Sequence, residues 1–159
     1  MKTLVAYYSL SGNVKEAAEI IAKELDADLL RLEPVKDIPT KGFKMFMQGG
    51  GMATFALGTR LKDYSSYDLE SYDRIILGTP VWAGKSTPAV NEFIRKCGCK
   101  EKIYGVFTSA GSGNNDKCLD ILDKKLDNLK FAASLADKQN AEMAQYNEEV
   151  LNEFIGNLK

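Results

Sequence analysis

Strand-like segments alternate with amphipathic helical patterns along this sequence, and this alternation restricts the folds that it can adopt. The run from Leu4 to Tyr8 is continuously apolar, as expected of a strand that is buried on both faces of a sheet. The apolar residues between Val14 and Leu25 then fall at helical spacing. Four further strands are predicted: Asp28 to Glu33 at a sheet edge, Arg74 to Gly78, Lys102 to Thr108, and Phe131 to Ala136.

Predicted helices separate the later strands and close the sequence. One helix covers about Pro88 to Cys97, with Thr87 as its N-cap and Pro88 at the first helical position. Apolar residues between Cys118 and Leu129 mark the next helix, and a final apolar stripe marks the last: Met143, Val150, Leu151, Phe154, Ile155 and Leu158. Five strands alternating with helices predict an α/β protein with a parallel sheet between helical layers, joined by right-handed crossovers.

The composition indicates one domain, residues 1–159, and argues against nucleic acid and membranes as partners. With a net charge of −1, the protein has neither the excess of basic residues that attracts nucleic acid nor the excess of acidic residues that attracts a cationic partner. No apolar run reaches the length that spans a membrane, so we expect no membrane association. The first apolar run is too short for a secretion signal, and we therefore expect a cytoplasmic protein.

Histidine is absent, which removes Ser-His-Asp and Cys-His catalysis together with most zinc sites. We expect no metal site and no catalytic acid or base. Cys97, Cys99 and Cys118 fit neither a disulfide framework nor a CxxC redox pair, and we expect them to be thiols.

Open parallel sheets bind ligands beyond the carboxyl ends of their strands, which directs attention to three loops. The first loop, Ser9 to Asn13, precedes a helix whose first N–H groups lack helical partners and carry partial positive charge. These amides and the two serine hydroxyls could form an anion-binding nest, with Gly12 allowing close approach. The alternative is simple helix capping by Ser11 or Asn13. The loop matches neither the GxxxxGK[ST] nor the GxGxxG pattern.

The second and third loops follow the third and fourth predicted strands. The second, Thr79 to Ser86, holds the single tryptophan, Trp82, which either packs over the sheet edge or stacks on a flat ligand. The third, Ser109 to Asn115, is rich in glycine and hydroxyl groups that could approach and bond a ligand. A flexible turn would have the same composition.

The three loops, "YYSLSGN", "GTPVWAGKSTPAV" and "TSAGSGN", resemble those of short-chain flavodoxins, and the likeness extends over nearly the whole chain. The resemblance implies a flavodoxin-like three-layer α/β/α fold with a five-stranded parallel sheet in the order 2-1-3-4-5. It implies FMN as the cofactor, with its phosphate on Ser9, Ser11, Gly12, Asn13 and Val14. Its ring would lie between two groups of residues: Pro80, Val81, Trp82, Ala83, Gly84 and Lys85 on one side, and Ser109, Ala110, Gly111, Ser112, Gly113 and Asn114 on the other.

Three departures from the flavodoxin pattern affect this hypothesis. Val14 stands where the family usually has threonine, so one hydroxyl contact to phosphate is lost. Trp82 is the single evident aromatic residue at the ring, which would leave one ring face open. The chain is nearly neutral rather than strongly acidic, and Lys85 beside the ring would raise its reduction potential by Coulomb attraction.

The resemblance implies a low-potential one-electron carrier between redox enzymes, with a reductase and an acceptor as its partner proteins. The alternative is an FMN-dependent NAD(P)H:quinone or flavin oxidoreductase of the same fold. An electron-transfer role is favoured because the arginines are scattered and form no evident clamp for a nicotinamide nucleotide.

The segment Gly42 to Gly58 is rich in methionine and phenylalanine around three consecutive glycines. It is interpreted either as a broken amphipathic helix that covers one sheet face or as a pliable apolar lid or docking surface.

Overall fold

Parallel strands form the centre of the structure, a computed structural model that describes residues 1–37, 59–111, 113–138 and 140–159. Within these ranges the strands are β1 Thr3–Tyr7, β2 Asp28–Arg31, β3 Arg74–Trp82, β4 Lys85–Ser86, β5 Ile103–Ala110 and β6 Phe131–Ala136. The sheet order is β2-β1-β3-β5-β6, with all four pairings parallel. Leaving aside β4, which pairs antiparallel with the end of β3, this is the predicted order 2-1-3-4-5.

Helices cover both faces of this sheet. The described helices are α1 Asn13–Glu24, α2 Pro88–Lys96, α3 Asp116–Lys125 and α4 Ala141–Leu158, with short 3₁₀ turns at Leu69–Ser71 and Lys100–Lys102. Because successive strand residues point to opposite faces, Leu4 packs with Phe93 of α2 and Leu122 of α3 in one core cluster. Val5 packs with Phe154 of α4 in the other cluster, which also includes residues of α1. The predicted three-layer α/β/α architecture is confirmed.

Most predicted element boundaries agree with the structure to within two residues, and the bounds of β6 are identical. Two boundaries were wrong. β3 continues to Trp82 instead of ending at Gly78, because Thr79 and Pro80 still pair with β5 and the last two residues pair with β4. α3 ends at Lys125, since Leu126 adopts an extended conformation (φ −106°, ψ 123°), and Leu129 therefore lies outside the helix.

Close contact between β3 and β5 fixes the carboxyl edge of the sheet. Gly78 pairs with Tyr7 on one side and with Phe107 on the other. A Cβ atom on Gly78 would lie 2.3 Å from the ring of Phe107, so this position has room for glycine alone. The strands that carry the three predicted loops are thereby held side by side.

Within the described ranges, no helix is both long and apolar enough to cross a bilayer. The same residues contain no group of three His, Cys, Asp or Glu side chains placed to hold a metal. All three cysteines are free. The predictions for Gly42–Gly58 fall on residues outside the described ranges.

Candidate functional site

The first loop turns the chain from β1 into α1 at the carboxyl edge of the sheet. Gly12 is the N-cap of α1 and has a φ of 104°, a left-handed conformation that suits glycine. Its N–H donates to Oγ of Ser9 (3.1 Å), and its carbonyl accepts the N–H of Glu16 (3.0 Å). No side chain caps this helix, so the alternative of capping by Ser11 or Asn13 is not found.

The start of α1 consequently presents backbone N–H groups without helical partners. The N–H groups of Asn13, Val14 and Lys15 precede the first helical hydrogen bond, and the helix dipole adds partial positive charge to them. Apart from its neighbours in the chain, a Cβ on Gly12 would meet nothing within 4 Å, so there is open space beside Gly12 at the start of the helix. We call Ser9, Gly12 and these three amides the anion cradle.

Val14 contributes to the anion cradle through its backbone alone. Its side chain is buried in the core cluster beneath α1, and it points away from any ligand outside the helix. The hydroxyl that a threonine would provide here is therefore missing, as the sequence predicted, and Val14 offers only its backbone N–H.

The second predicted loop is mostly a β-hairpin. β3 runs to Trp82, β4 begins at Lys85, and Ala83 and Gly84 form a two-residue turn. Both turn residues have positive φ values, 51° for Ala83 and 73° for Gly84, which is the pattern of a type I′ turn. Pro80 pairs with Ser109, so the second and third segments leave the sheet as neighbours.

Trp82 lies partly exposed on this hairpin and packs against the core cluster beneath α2 and α3. Its ring stands perpendicular to that of Tyr8, with centroids 5.6 Å apart. Tyr8 is fixed in turn, because its hydroxyl donates to Oδ1 of Asp37 (2.7 Å). Burial, followed by this hydrogen bond, raises the pKa of Tyr8, which keeps the phenol protonated. The indole is therefore supported by the ring of Tyr8.

Two lysines flank the hairpin turn. Lys85 is exposed on β4. Lys117 of α3, which sequence reasoning missed, lays its aliphatic stem over Gly84: a Cβ there would lie 3.0 Å from Cδ of Lys117. The turn is consequently packed against α3, and two cationic side chains lie near it.

The third segment begins as the end of β5, since Ser109 and Ala110 are strand residues. The chain then turns, with the N–H of Gly113 donating to the carbonyl of Ala110 (3.0 Å). Gly113 has a φ of 76° and packs against the ring of Tyr146. Gly111 and Asn114 are exposed, and the predicted site residue Ser112 is outside the described ranges.

Two further polar residues at the third segment were not among the predicted FMN contacts: Asn115, its last residue, and Asp137, which lies beside it. Asn115, at the N-cap position of α3, is 1% exposed and donates to the carbonyl of Leu135 (3.2 Å), while its Oδ1 has no partner among the described residues. Asp137 follows β6 and accepts hydrogen bonds from Asn13 (3.0 Å) and Ser109 (2.8 Å). The position of Asp137 directly after a predicted strand was the available signal, because all parallel strands end at the same edge.

The structure thus brings parts of all three predicted segments to one edge of the sheet. Asp137 contacts the first and the third segments, and the pairing of β3 with β5 places the second segment beside the third. The carboxyl edge of this flavodoxin-like α/β/α fold thus carries the anion cradle, a partly exposed indole and a glycine-rich turn.

Comparison with solved structures supports this fold, although no known family profile matches the sequence. A candidate flavoprotein from Bacteroides eggerthii superposes with a TM-score of 0.72 at 20% identity, covering 94% of this chain and 97% of its own. A flavoprotein from Lactobacillus acidophilus, in complex with FMN, gives 0.64 at 20% identity over 96% and 97%. A flavodoxin, WrbA-like protein from Agrobacterium tumefaciens gives 0.59 at 21% identity over 99% of both chains. At these identities the structural likeness establishes the fold alone.

Proposed function

We propose that this chain binds FMN and acts as a low-potential one-electron carrier between redox enzymes. The observation that carries the proposal is the start of α1, where Gly12 leaves three first-turn amides uncapped beside open space. A phosphate monoester matches the size and charge that such a helix start prefers. The FMN complex of the neighbour from Lactobacillus acidophilus, which shares the fold, gives independent support.

The carboxyl edge offers residues for both ends of FMN. The phosphate would be held by Ser9, Ser11, Gly12, Asn13 and the N–H of Val14. The ring would lie against the indole of Trp82, between two groups of residues: Pro80, Val81, Ala83, Gly84 and Lys85, and Ser109, Ala110, Gly111, Ser112, Gly113 and Asn114. When bound, FMN supplies one- and two-electron redox chemistry, while the protein supplies binding, orientation and electrostatics.

An electron carrier needs no acid or base from the protein, and Asp137, the carboxylate that joins two segments of the site, is engaged by hydrogen bonds from Asn13 and Ser109. The carrier would meet its partners, a reductase and an acceptor enzyme, at the exposed hairpin turn. We place it in the cytoplasm as a single domain of residues 1–159, without nucleic acid or membrane as partners.

Titration of the apoprotein with FMN and with riboflavin tests the cofactor assignment. We expect quenching of flavin fluorescence with both ligands and tighter binding of FMN, because riboflavin lacks the phosphate that the anion cradle would hold. Equal affinities would mean that the cradle contributes nothing, and no binding of either flavin would refute the proposed function.

An FMN-dependent NAD(P)H:quinone or flavin oxidoreductase is the second candidate function. Lys117 and Lys85 favour it, because two cations beside the hairpin could attract an anionic nucleotide. Steady-state oxidation of NAD(P)H with a quinone separates the two functions. Rapid turnover without a reductase would favour the enzyme, whereas turnover that depends on an added reductase, with two resolved one-electron steps in a potentiometric titration, would favour the carrier.

A further inference from the structure

The carboxylate of Asp137 connects two segments of the candidate site that are distant in sequence. Its Oδ1 accepts hydrogen bonds from Nδ2 of Asn13, at the start of α1, and from Oγ of Ser109, at the end of β5. The N–H of Asp137 also donates to the carbonyl of Ala110 (2.9 Å). One residue therefore holds the first and third segments at a fixed separation.

Asp137 is itself held in place by α4. The buried side chain of Asn147 accepts from the N–H of Ala136 and donates to the carbonyl of Ala136, both at 2.8 Å. β6 is at the edge of the sheet, so Asn147 takes the hydrogen-bonding position that a further strand would occupy. The backbone immediately before Asp137 is consequently anchored to both β5 and α4.

A small cavity adjoins the two residues that donate to Asp137. The cavity lined by Asn13, Ser109 and Asn147 has a volume of about 20 Å³, which suits a single water molecule. The carboxylate is thus directed at donors of the protein itself. Because these bonds engage the side chains of Asn13 and Ser109, any contact of those two residues with a ligand in this arrangement would come mainly from their backbone.

We propose that Asp137 is a positioning residue for FMN, an inference that rests on the proposed function. Through Asn13 and Ser109 it sets the distance between the anion cradle and the third segment, so that phosphate and ring can be bound at the same time. The essential property is an acceptor oxygen with this geometry, and the negative charge is secondary.

The test compares four apoproteins: wild type, Asp137→Ala, Asp137→Asn and the control Asp123→Ala. Asp123 is exposed near the end of α3 that points away from the site, so the control removes one carboxylate without touching the junction. Dissociation constants for FMN and for riboflavin are measured by fluorescence quenching, and urea unfolding establishes that each variant is folded.

We expect Asp137→Ala to weaken FMN binding by about tenfold, the equivalent of one hydrogen bond to a charged group, while riboflavin binding changes by less than about twofold. Riboflavin engages the ring site alone and does not depend on the separation of the two segments. Asp137→Asn keeps the acceptor oxygen and should recover most of the FMN affinity, and Asp123→Ala should behave as wild type.

Three results would overturn the role of Asp137. Unchanged or tighter FMN binding in Asp137→Ala would show that the freed Asn13 and Ser109 serve the ligand as well or better. Equal weakening of FMN and riboflavin would indicate general loosening of the fold. An Asp137→Asn variant as weak as Asp137→Ala would mean that charge matters more than the acceptor. A wild-type protein that binds neither flavin refutes the proposed function before any variant is compared, and the role of Asp137 is then refuted with it.

Discussion

Replacing Gly12 by leucine tests the anion cradle most directly, because Gly98 offers a matched control. Both glycines have positive φ, 104° and 67°, and a Cβ at either position would meet no other described atom within 4 Å. Gly98 lies between α2 and the start of β5, at the end of the sheet opposite to the carboxyl ends of the strands. Gly12→Leu and Gly98→Leu both place a non-glycine residue at positive φ, and only the first places a side chain at the cradle.

The backbone penalty is small enough for both variants to fold. A non-glycine residue in a left-handed conformation costs about 1–2 kcal/mol. In a domain of this size each kcal/mol lowers the melting temperature by about 2–4 °C, so we expect a decrease of roughly 2–8 °C for either variant.

The effect on FMN binding should differ greatly between the two. A leucine side chain at position 12 would occupy the open space beside the first-turn amides, where the phosphate would be bound. Hydrogen bonds to a charged group contribute about 1.5–3 kcal/mol each, so the loss of two weakens FMN binding by about 10²-fold to 10⁴-fold. Riboflavin, which lacks the phosphate, should lose far less.

Fluorescence titration measures the affinities for FMN and riboflavin, and thermal melting measures stability, for wild type, Gly12→Leu and Gly98→Leu. The reasoning is refuted if Gly12→Leu melts as expected yet retains the FMN affinity of the wild type. Equal loss of FMN affinity in Gly98→Leu would also contradict it, because the effect would then come from the fold and not from the cradle.

Three further substitutions test separate parts of the structure. Gly78→Ala places a Cβ 2.3 Å from the Phe107 ring, and we expect a loss of about 1–3 kcal/mol or more in the free energy of urea unfolding; an unchanged value would contradict the β3–β5 packing. Ala83→Asn puts a residue favoured in type I′ turns where φ is 51°, and should increase the free energy of unfolding by about 1 kcal/mol; a lower melting temperature would count against that turn. Lys85→Glu should lower the second-electron reduction potential of bound FMN, because it replaces an attractive charge by a repulsive one; a redox titration without a shift would remove Lys85 from the tuning of the potential.

The layered fold could be predicted from the sequence because two strong periodic signals alternate along it. The strand β6, for example, has the predicted bounds, although only its local pattern was used. The rule that parallel strands end at one edge then placed the three segments together without any knowledge of side-chain contacts.

The hairpin in the second segment could not be predicted from local composition. The residues Thr79 to Ser86 contain proline and glycine, and this pattern is typical of a loop. β3 continues because Thr79 and Pro80 have partners on β5, and that pairing depends on register rather than on local sequence. The turn also has alanine where asparagine or glycine would have given a hairpin signal.

The polar residues that organise the third segment were missed for a different reason. Asp137 and Asn147 are single polar residues without a motif, and each acquires its role through contacts with other elements of the fold. Lys117 belongs to the same class, since its stem contacts Gly84 from another element. Long-range contacts of this kind become visible only when the sheet register and the helix positions are known.

The charges at the two ends of the candidate site have different origins, and in the proposed carrier this would separate FMN retention from redox tuning. At the anion cradle the positive potential comes from backbone amides of α1, which no substitution of a charged side chain removes. At the hairpin it comes from Lys85 and Lys117, which are exposed and can be replaced individually. Sequence changes at these lysines could therefore alter the reduction potential and the encounter with charged partners while the phosphate remains bound. A change at Gly12 would instead act on the proposed binding of FMN, because it would weaken the hold on the phosphate whatever charge the hairpin carried.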